Sequence, residues 1–550
     1  MKFAFYTLGC KTNQYETQAM EHLLLEKGHE IGSFEEACDG YVIKTCSVTA
    51  VADKKNRAVI RRCRRDNPQA VIAVCGCYSQ HDPEAVRALG IDVIGGSGQR
   101  QAFVEMLLDA AGEKRHAEQL DNALGRREFE CLPAGGLEER TRAMLKVQDG
   151  CVNFCTYCII PYTRGPIRSA PLEVAVAQAK ELAVRGYREI VLTGIEIAGW
   201  GQDQPGKPEL ALLVEEICKA VPDLRIRLGS LEPRVVTEDF CRRLSVFPNL
   251  CLQFHLSMQS GSDTVLSRMK RKYDTARYYQ SVELLRKFFP ECAVTTDMIV
   301  AFPGETEEEF AESLAFIRKC AFADMHIFPY SRRPGTPADK MPGQHNNATK
   351  EARSRAAIAL AEEMSRAYRE GFIGRTLEVL FEEREGEFYT GHAPNYIKVY
   401  ARGENLHNEI RTVTVLDYSP PSLSQFTAER CNADGTTAQT DGTKVRISAK
   451  ASGSSVGGKN TLACTVYYKL SSAESWVSAV TLTPSNYAIS ETNRLLSPTF
   501  DALSSYDIKI RVQDVFYYIE QTVSIGTKQV MMDFYRDGSG IAFGKVAENA

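Results

Sequence analysis

Residues 143–158 read AMLKVQDGCVNFCTYC. An apolar run with strand character ends at Gly150, and Cys151, Cys155 and Cys158 follow at once in the spacing CxxxCxxC. Three thiolates in one loop suit a cubane 4Fe–4S cluster, each binding one iron and leaving the fourth iron open to an outside ligand. Zinc is the competing reading, but it takes four ligands, usually in paired CxxC or CxxH spacing, and no fourth stands nearby. A cluster loop directly after a strand belongs at the carboxyl-end face of a (β/α) barrel, where that fold builds its chemistry.

The flanking sequence has the alternation such a barrel needs. Strand-like runs at 143–148, 189–193, 225–229, 252–257, 294–300 and 325–329 are each followed by a helical pattern or a long loop. This predicts an α/β fold with a partial barrel over residues 137–367. Upstream, residues 1–112 carry three further strand-like runs: FAFYTLGC ending at Cys10, GYVIKTC at Cys46 and AVIAVCGC at Cys77. Helical patterns follow the first two, at 14–28 and 48–65. In an open parallel sheet the loops beyond the carboxyl ends of strands converge on one edge, so these three cysteines are expected to meet. Cys75 competes with Cys77, but it lies inside the apolar run, whereas Cys77 follows Gly76, where the chain can approach a cluster closely. Cys63 sits among arginines in a helical pattern and reads as incidental.

The chain has 550 residues, of which 44% are hydrophobic and 25% charged, which excludes a wholly disordered or collagen-like protein. Its formal charge of −4 excludes nucleic-acid binding by bulk charge and leaves only a local patch. No apolar run approaches a membrane span and the first residues lack a signal-peptide layout, so a cytoplasmic protein is expected. Seventeen cysteines are many for that compartment, and all but Cys431 and Cys464 precede residue 420. About half are expected to be ordinary buried thiols.

Near Ser419-Pro420-Pro421 the pattern changes. Residues 371–416 read as short strands with glycine turns, a small β-barrel candidate. Residues 422–528 are rich in Ser and Thr and alternate with period two, as in KVRISAKAS (444–452) and YDIKIRVQDV (506–515). That predicts an immunoglobulin- or fibronectin-like β-sandwich. Residues 529–550 read as a hairpin turning at Asp537-Gly538-Ser539-Gly540.

The CxxxCxxC loop resembles that of the radical S-adenosylmethionine superfamily. With TLGCKTNQYETQ (7–18), TCSVT (45–49), CGCYSQ (75–80), LTGIEIAGWG (192–201), HLSMQSGSD (255–263), DMIVAFPGETEEEF (297–310) and YSRRPGTPA (330–338), residues 1 to about 416 resemble the methylthiotransferase family. The LGCK form at 8–11 is most similar to the branch that modifies N6-threonylcarbamoyladenosine beside the tRNA anticodon. The resemblance implies two 4Fe–4S clusters, one on Cys151, Cys155 and Cys158 and an auxiliary one on Cys10, Cys46 and Cys77. It also implies two S-adenosylmethionine molecules per product, one methylating a cluster-borne sulfur and one giving the radical that activates carbon 2 of the adenine. No side-chain acid–base set is expected. Tyr157, Gly194, Glu196, Ser230 and Gln259 are the expected S-adenosylmethionine contacts, and Ala301 stands where the family has a glycine. The implied partners are the tRNA anticodon stem-loop and an electron donor such as flavodoxin or ferredoxin, with no membrane.

Residues 371–416 resemble a TRAM domain, with Tyr396 and Lys398 as candidates for base stacking and phosphate contact. Seven Lys and Arg side chains lie between Lys54 and Arg65, and Lys54, Lys55, Arg61 and Arg62 are the candidate phosphate contacts. Residues 418–550 resemble accessory domains of phage tail and fibre proteins. Two alternatives accompany the enzyme reading. One is a phage-type structural or adhesion protein joined to the enzyme by natural fusion or by an assembly artefact. The other is a methylthiotransferase acting on another tRNA base or on a ribosomal protein.

Overall fold

The computed structural model describes residues 1–113, 115–134, 141–526, 532–534 and 541–543. The chain divides into two compact units, Met1–Phe372 with Thr376–Val413, and Ile373–Arg375 with Thr414–Ala550.

The first unit opens with a six-stranded parallel sheet. Its central neighbours are Lys2–Thr7, Gly40–Thr45 and Val71–Gly76, in that order, with Ala4 opposite Tyr41 and Val42 opposite Ala73. The runs YVI and VIAV are buried on both faces, which is why they read as continuous apolar stretches. Short strands at Glu30–Gly32, Val93–Gly95 and Ala117–Gln119 extend the sheet past the three runs legible in the sequence, and past residue 112. Helix Ala50–Asp66 is capped by the Thr49 side chain, which accepts from the Ala52 N–H, and ends on Arg64 and Arg65, as its dipole favours.

All six expected barrel strands are present. Arg142–Lys146, Glu189–Thr193 and Arg225–Leu228 form one parallel sheet, and Gln253–His255, Ala293–Val300 and Asp324–Pro329 another. Isolated parallel bridges Ile226–Leu250 and Leu231–Leu256 connect the two into an open partial barrel. Leu145, Ile190, Leu192, Ile226, Leu228, Phe254 and Val294 form its core with the surrounding helices. Helix Glu307–Cys320 begins in a capping box of Thr306 and Glu309. Residues 376–414 form a four-stranded sheet in the order Lys398–Ala401, Phe388–His392, Thr376–Glu385, Ile410–Thr414.

The second unit holds two antiparallel sheets. One contains Ser422–Cys431, Lys444–Ser452 and Ala488–Leu495, the other Val477–Leu482, Ala463–Leu470, Tyr506–Gln513 and Tyr518–Ile525. Val445, Ile447, Val466, Ile508, Ile510 and Val512 are the alternating inward residues. Met532–Phe534 pairs antiparallel with Ile541–Phe543, as a hairpin requires, and its expected turn at 537–540 lies outside the described residues. Among the described residues no helix is long and apolar enough to cross a membrane.

Candidate active site

Three parallel strand ends deliver three thiols. Cys10 is the N-cap of helix Lys11–Glu26, Cys46 directly follows Thr45, and Cys77 opens helix Cys77–His81. Two glycines permit the convergence. Gly9 has φ +104°, and a Cβ there would stand 2.7 Å from Cys46 Sγ. Gly76 has φ +124°, and a Cβ would stand 2.4 Å from the Thr45 carbonyl oxygen. Burial, then the neighbouring Cys77 thiol, push the Cys46 thiol up to about 12. Cys75 is turned away, fully buried among Phe3, Val42 and Phe103, and Cys63 packs with Ile60 and Ile72.

Residues missed by the sequence reading surround this triad. Arg164 Nε donates to Cys77 Sγ at 3.4 Å, and its other nitrogens reach Glu16 Oε1 at 2.5 Å and Asn13 Oδ1 at 2.8 Å. Asn13 Nδ2 in turn donates to the carbonyls of Leu8 and Thr45, at 2.7 and 3.0 Å, beside the Cys10 and Cys46 loops. The signal was present in TLGCKTNQYE, whose Asn13 and Glu16 fall three apart on one helical face.

The second triad lies in the irregular loop after strand Arg142–Lys146 and the short strand Gln148–Asp149. The Asn153 N–H donates to Cys151 Sγ at 3.4 Å and Arg271 Nη1 to Cys155 Sγ at 3.3 Å. Burial pushes Cys151 and Cys158 up to about 12. From beneath, Thr156 donates through its N–H to Met269 O and through Oγ1 to Arg268 O. Among the described residues no three His, Cys, Asp or Glu side chains are arranged to hold one metal ion. A cubane bound through three separate irons does not require that arrangement.

Of the expected cofactor contacts, Glu196 is the most informative. Its Oε2 accepts from Asn153 Nδ2 at 2.9 Å and its N–H donates to Gln148 Oε1 at 2.8 Å, but Oε1 is buried without a hydrogen-bond partner. Burial, then the Glu232 carboxylate, raise its pKa above the ordinary value. An orphaned carboxylate oxygen beside a thiol triad fits a cationic amino group from a ligand. Gly194 packs on the Gln148 carbonyl oxygen. Ser230 is exposed, and Gln259 sits at φ +71° with its backbone N–H on Asp297 O. The Tyr157 hydroxyl lies 3.4 Å from Arg271 Nη1. Ala301 adopts φ +55°, the left-handed conformation that a glycine would take without strain.

The RNA candidates fall in two places. Lys54, Lys55, Arg61 and Arg62 are exposed on helix Ala50–Asp66, with Arg62 3.3 Å from Glu35. Lys398 pairs with Glu385 at 2.9 Å. Tyr396 is 41% exposed, but its ring stacks on His392 at 4.6 Å with Arg227 4.9 Å from its centroid. That ring helps seat the loop at 392–397 against the amino-terminal ends of the barrel strands. There Arg225 donates to His392 O and Glu378 O, and Arg227 to Pro394 O and Ala393 O.

The radical SAM superfamily profile matches residues 145–317, and Uncharacterized protein family UPF0004 matches residues 2–96. The threonylcarbamoyladenosine tRNA methylthiotransferase MtaB of Bacillus subtilis is 40% identical over 76% of this chain and 94% of its own. The chain belongs to the radical S-adenosylmethionine methylthiotransferases. Its cofactors are therefore S-adenosylmethionine and 4Fe–4S clusters. The MtaB of Thermotoga maritima is 35% identical over 78% of this chain and 96% of its own. A tRNA-2-methylthio-N(6)-dimethylallyladenosine synthase of Pelotomaculum thermopropionicum is 30% identical over 75% of this chain and 95% of its own. Residues 398–550 match a family described as a siphovirus protein of unknown function, in agreement with the phage-like reading of that segment. That match begins within the four-stranded sheet, at its strand Lys398–Ala401.

Proposed function

We propose that this methylthiotransferase acts on carbon 2 of N6-threonylcarbamoyladenosine at position 37 of tRNA, entering through the anticodon stem-loop. The observation that carries the reading is two three-cysteine sites in loops that follow parallel strands, in a chain 40% identical to a relative named for that activity. Cys151, Cys155 and Cys158 are the ligands of one cluster, and Cys10, Cys46 and Cys77 of the other. Bound S-adenosylmethionine supplies the radical chemistry that an aromatic C–H without an acidic proton requires, and a second molecule is the methyl donor. The chain's own part is placement. The unpaired Glu196 Oε1 takes the cofactor's amino group, Asn153 holds that carboxylate through Oε2 while Gln148 holds the Glu196 backbone N–H, and Gly194, Tyr157, Ser230 and Gln259 are the further contacts. Lys54, Lys55, Arg61 and Arg62 meet phosphates, with Tyr396 and Lys398 as lesser contacts. A small reductant such as flavodoxin or ferredoxin supplies the electron, in the cytoplasm. Residues 1–112 and 137–367 carry the two cluster sites, 371–416 a shortened TRAM-like module, and 422–528 with 529–550 a structural β module.

The test is nucleoside analysis of tRNA from a host lacking this modification that expresses the full chain. We expect the 2-methylthio derivative of threonylcarbamoyladenosine, and none with Cys151, Cys155 and Cys158 all replaced by alanine. That variant should keep about half of the roughly eight irons of two cubanes and form no 5′-deoxyadenosine. Full iron retention would overturn the cluster assignment. Modification of dimethylallyladenosine instead would favour the substrate of the 30% identical relative.

A further inference from the structure

Beneath the auxiliary cysteines lies a buried charge network whose signs do not cancel. Glu16, 1% exposed, sits 2.5 Å from Lys44, 2.5 Å from Arg164, 3.0 Å from Lys146 and 3.5 Å from Arg100. Asp149 lies 2.9 Å from Lys146, 3.3 Å from Arg164 and 3.4 Å from Arg168. Five cations thus surround two carboxylates, and Glu130, half-buried against the Arg100 backbone, adds one more negative charge at the margin. A buried charge without its counter-charge is strongly destabilising. Such an excess persists where a further anion belongs.

Arg164 points to where that anion sits. It alone of the five cations donates to a cysteine, through Nε to Cys77 Sγ, while its remaining N–H groups are taken by Glu16, Asp149 and Asn13. It is also the last residue of helix Ile160–Arg164, which begins two residues after Cys158. One rigid turn of helix therefore spans from the loop of one thiol triad to the side of the other.

We propose that Arg164 is a positioning residue of the auxiliary site, fixing the Cys77 loop relative to the Cys151–Cys158 loop and supplying the positive charge that offsets an anionic thiolate-bound cluster. The inference rests on the reading that Cys10, Cys46 and Cys77 hold a cluster. An N–H···S bond and a nearby cation both favour the reduced, more negative state of such a centre, so they raise its reduction potential. Loss of Arg164 must then lower it.

The measurement is an EPR-monitored redox titration of the full chain with Cys151, Cys155 and Cys158 replaced by alanine, so that only the auxiliary centre is observed. Absence of any cluster in this parent would refute the ligand reading itself. With the cluster present, Arg164→Gln should move its midpoint potential to more negative values with an unchanged circular-dichroism spectrum. Arg164→Lys, which keeps the charge but loses the fork, should fall between the parent and the glutamine variant. Lys146→Met removes a cation from the same two carboxylates but touches no cysteine, and should shift the potential less. If Arg164→Gln does not assemble, Arg164→Lys decides, and a potential equal to the parent's overturns the proposal. It is equally overturned if Arg164→Gln matches the parent, or if Lys146→Met shifts the potential as far.

Discussion

Replacing Cys75 and Cys77 one at a time tests whether a core thiol and the proposed cluster ligand two residues away can be told apart. Cys75 is fully buried in the sheet core with Phe3, Val42 and Phe103, so Cys75→Ala removes one sulfur from close packing. By analogy with single buried-methylene deletions that costs about 1 kcal/mol, or about 1 °C in Tm for a unit of this size. Iron content should not change. Cys77 is also 4% exposed, but its sulfur faces Arg164 and the Cys46 loop rather than the core. Cys77→Ala should leave about four of the roughly eight irons, because one missing thiolate in three releases its own cubane and not the other. The variant should still cleave S-adenosylmethionine while transferring no methylthio group to tRNA. The assay is iron and sulfide determination after anaerobic reconstitution, paired with thermal melts of both apo-proteins. Equal iron loss from the two variants would show that the burial argument assigns the wrong thiol to the crevice.

Glu309 is held at about 2 by its bonds to Arg268, against an ordinary value of 4.5, so its stabilisation is complete above pH 4.5 and is lost as pH falls toward 2. Discounted for solvent, Glu309→Gln should cost about 1–2 kcal/mol at pH 7, and urea melts of the apo-protein should show that gap narrowing to roughly two-fifths by pH 3 and closing only near pH 2. Ala301→Gly should raise stability by about 1 kcal/mol in the same melts, because it relieves a left-handed alanine; a loss would mean that the φ of +55° carries no strain. Replacing Lys54, Lys55, Arg61 and Arg62 with glutamine should weaken tRNA binding and flatten the log–log slope of affinity against salt by about 0.7–0.9 for each phosphate no longer neutralised; an unchanged slope would remove this helix from the interface. A chain ending at residue 367 should be less stable than one ending at 413, by roughly 3–7 kcal/mol. It lacks the acceptors that Arg142, Arg225 and Arg227 find in residues 376–413, at about 0.5–1.5 kcal/mol net per bond, and equal denaturation midpoints would refute that sum.

The parts of this molecule legible in its sequence are those in which one short-range rule acts alone. Strands such as Gly40–Thr45, Val71–Gly76 and Glu189–Thr193 were readable because parallel strands buried on both faces are written as near-continuous apolar runs, whereas the mostly exposed Asp324–Pro329 was readable only from the alternation of strand-like and helical patterns around it. Each thiol was legible as the residue that follows such a run. The short strands Glu30–Gly32, Val93–Gly95 and Ala117–Gln119 were not, because three residues carry no period and owe their state to the neighbouring ladder. In the second unit Ser422–Cys431 and Ala488–Leu495 are less legible for a related reason: only Phe426, Arg430 and Cys431 of the first and Ile489 of the second are buried, so little alternation reaches the sequence.

The site's polar scaffold was illegible for a different physical reason. Glu16, Lys44, Arg100, the Lys146–Asp149 pair and Arg164 come from five separate stretches of the chain, and apart from Glu16, which shares a helical face with Asn13, each reads by itself as an exposed charge on a helix or a strand end. Only the tertiary fold shows them to be buried, and only their sum shows the excess of positive charge. The same holds for the loop at 392–397, where Tyr396 read from sequence as a free aromatic for RNA. In the fold its ring stacks on His392 and lies over Arg227, so any base that uses this ring must share it with contacts that seat the four-stranded sheet on the barrel. RNA binding at this ring would then be coupled to the docking of that sheet through one side chain. The siphovirus-like match begins at residue 398, immediately after Tyr396-Ile397, so it leaves this coupling residue within the methylthiotransferase part of the chain while including two of the four strands behind it.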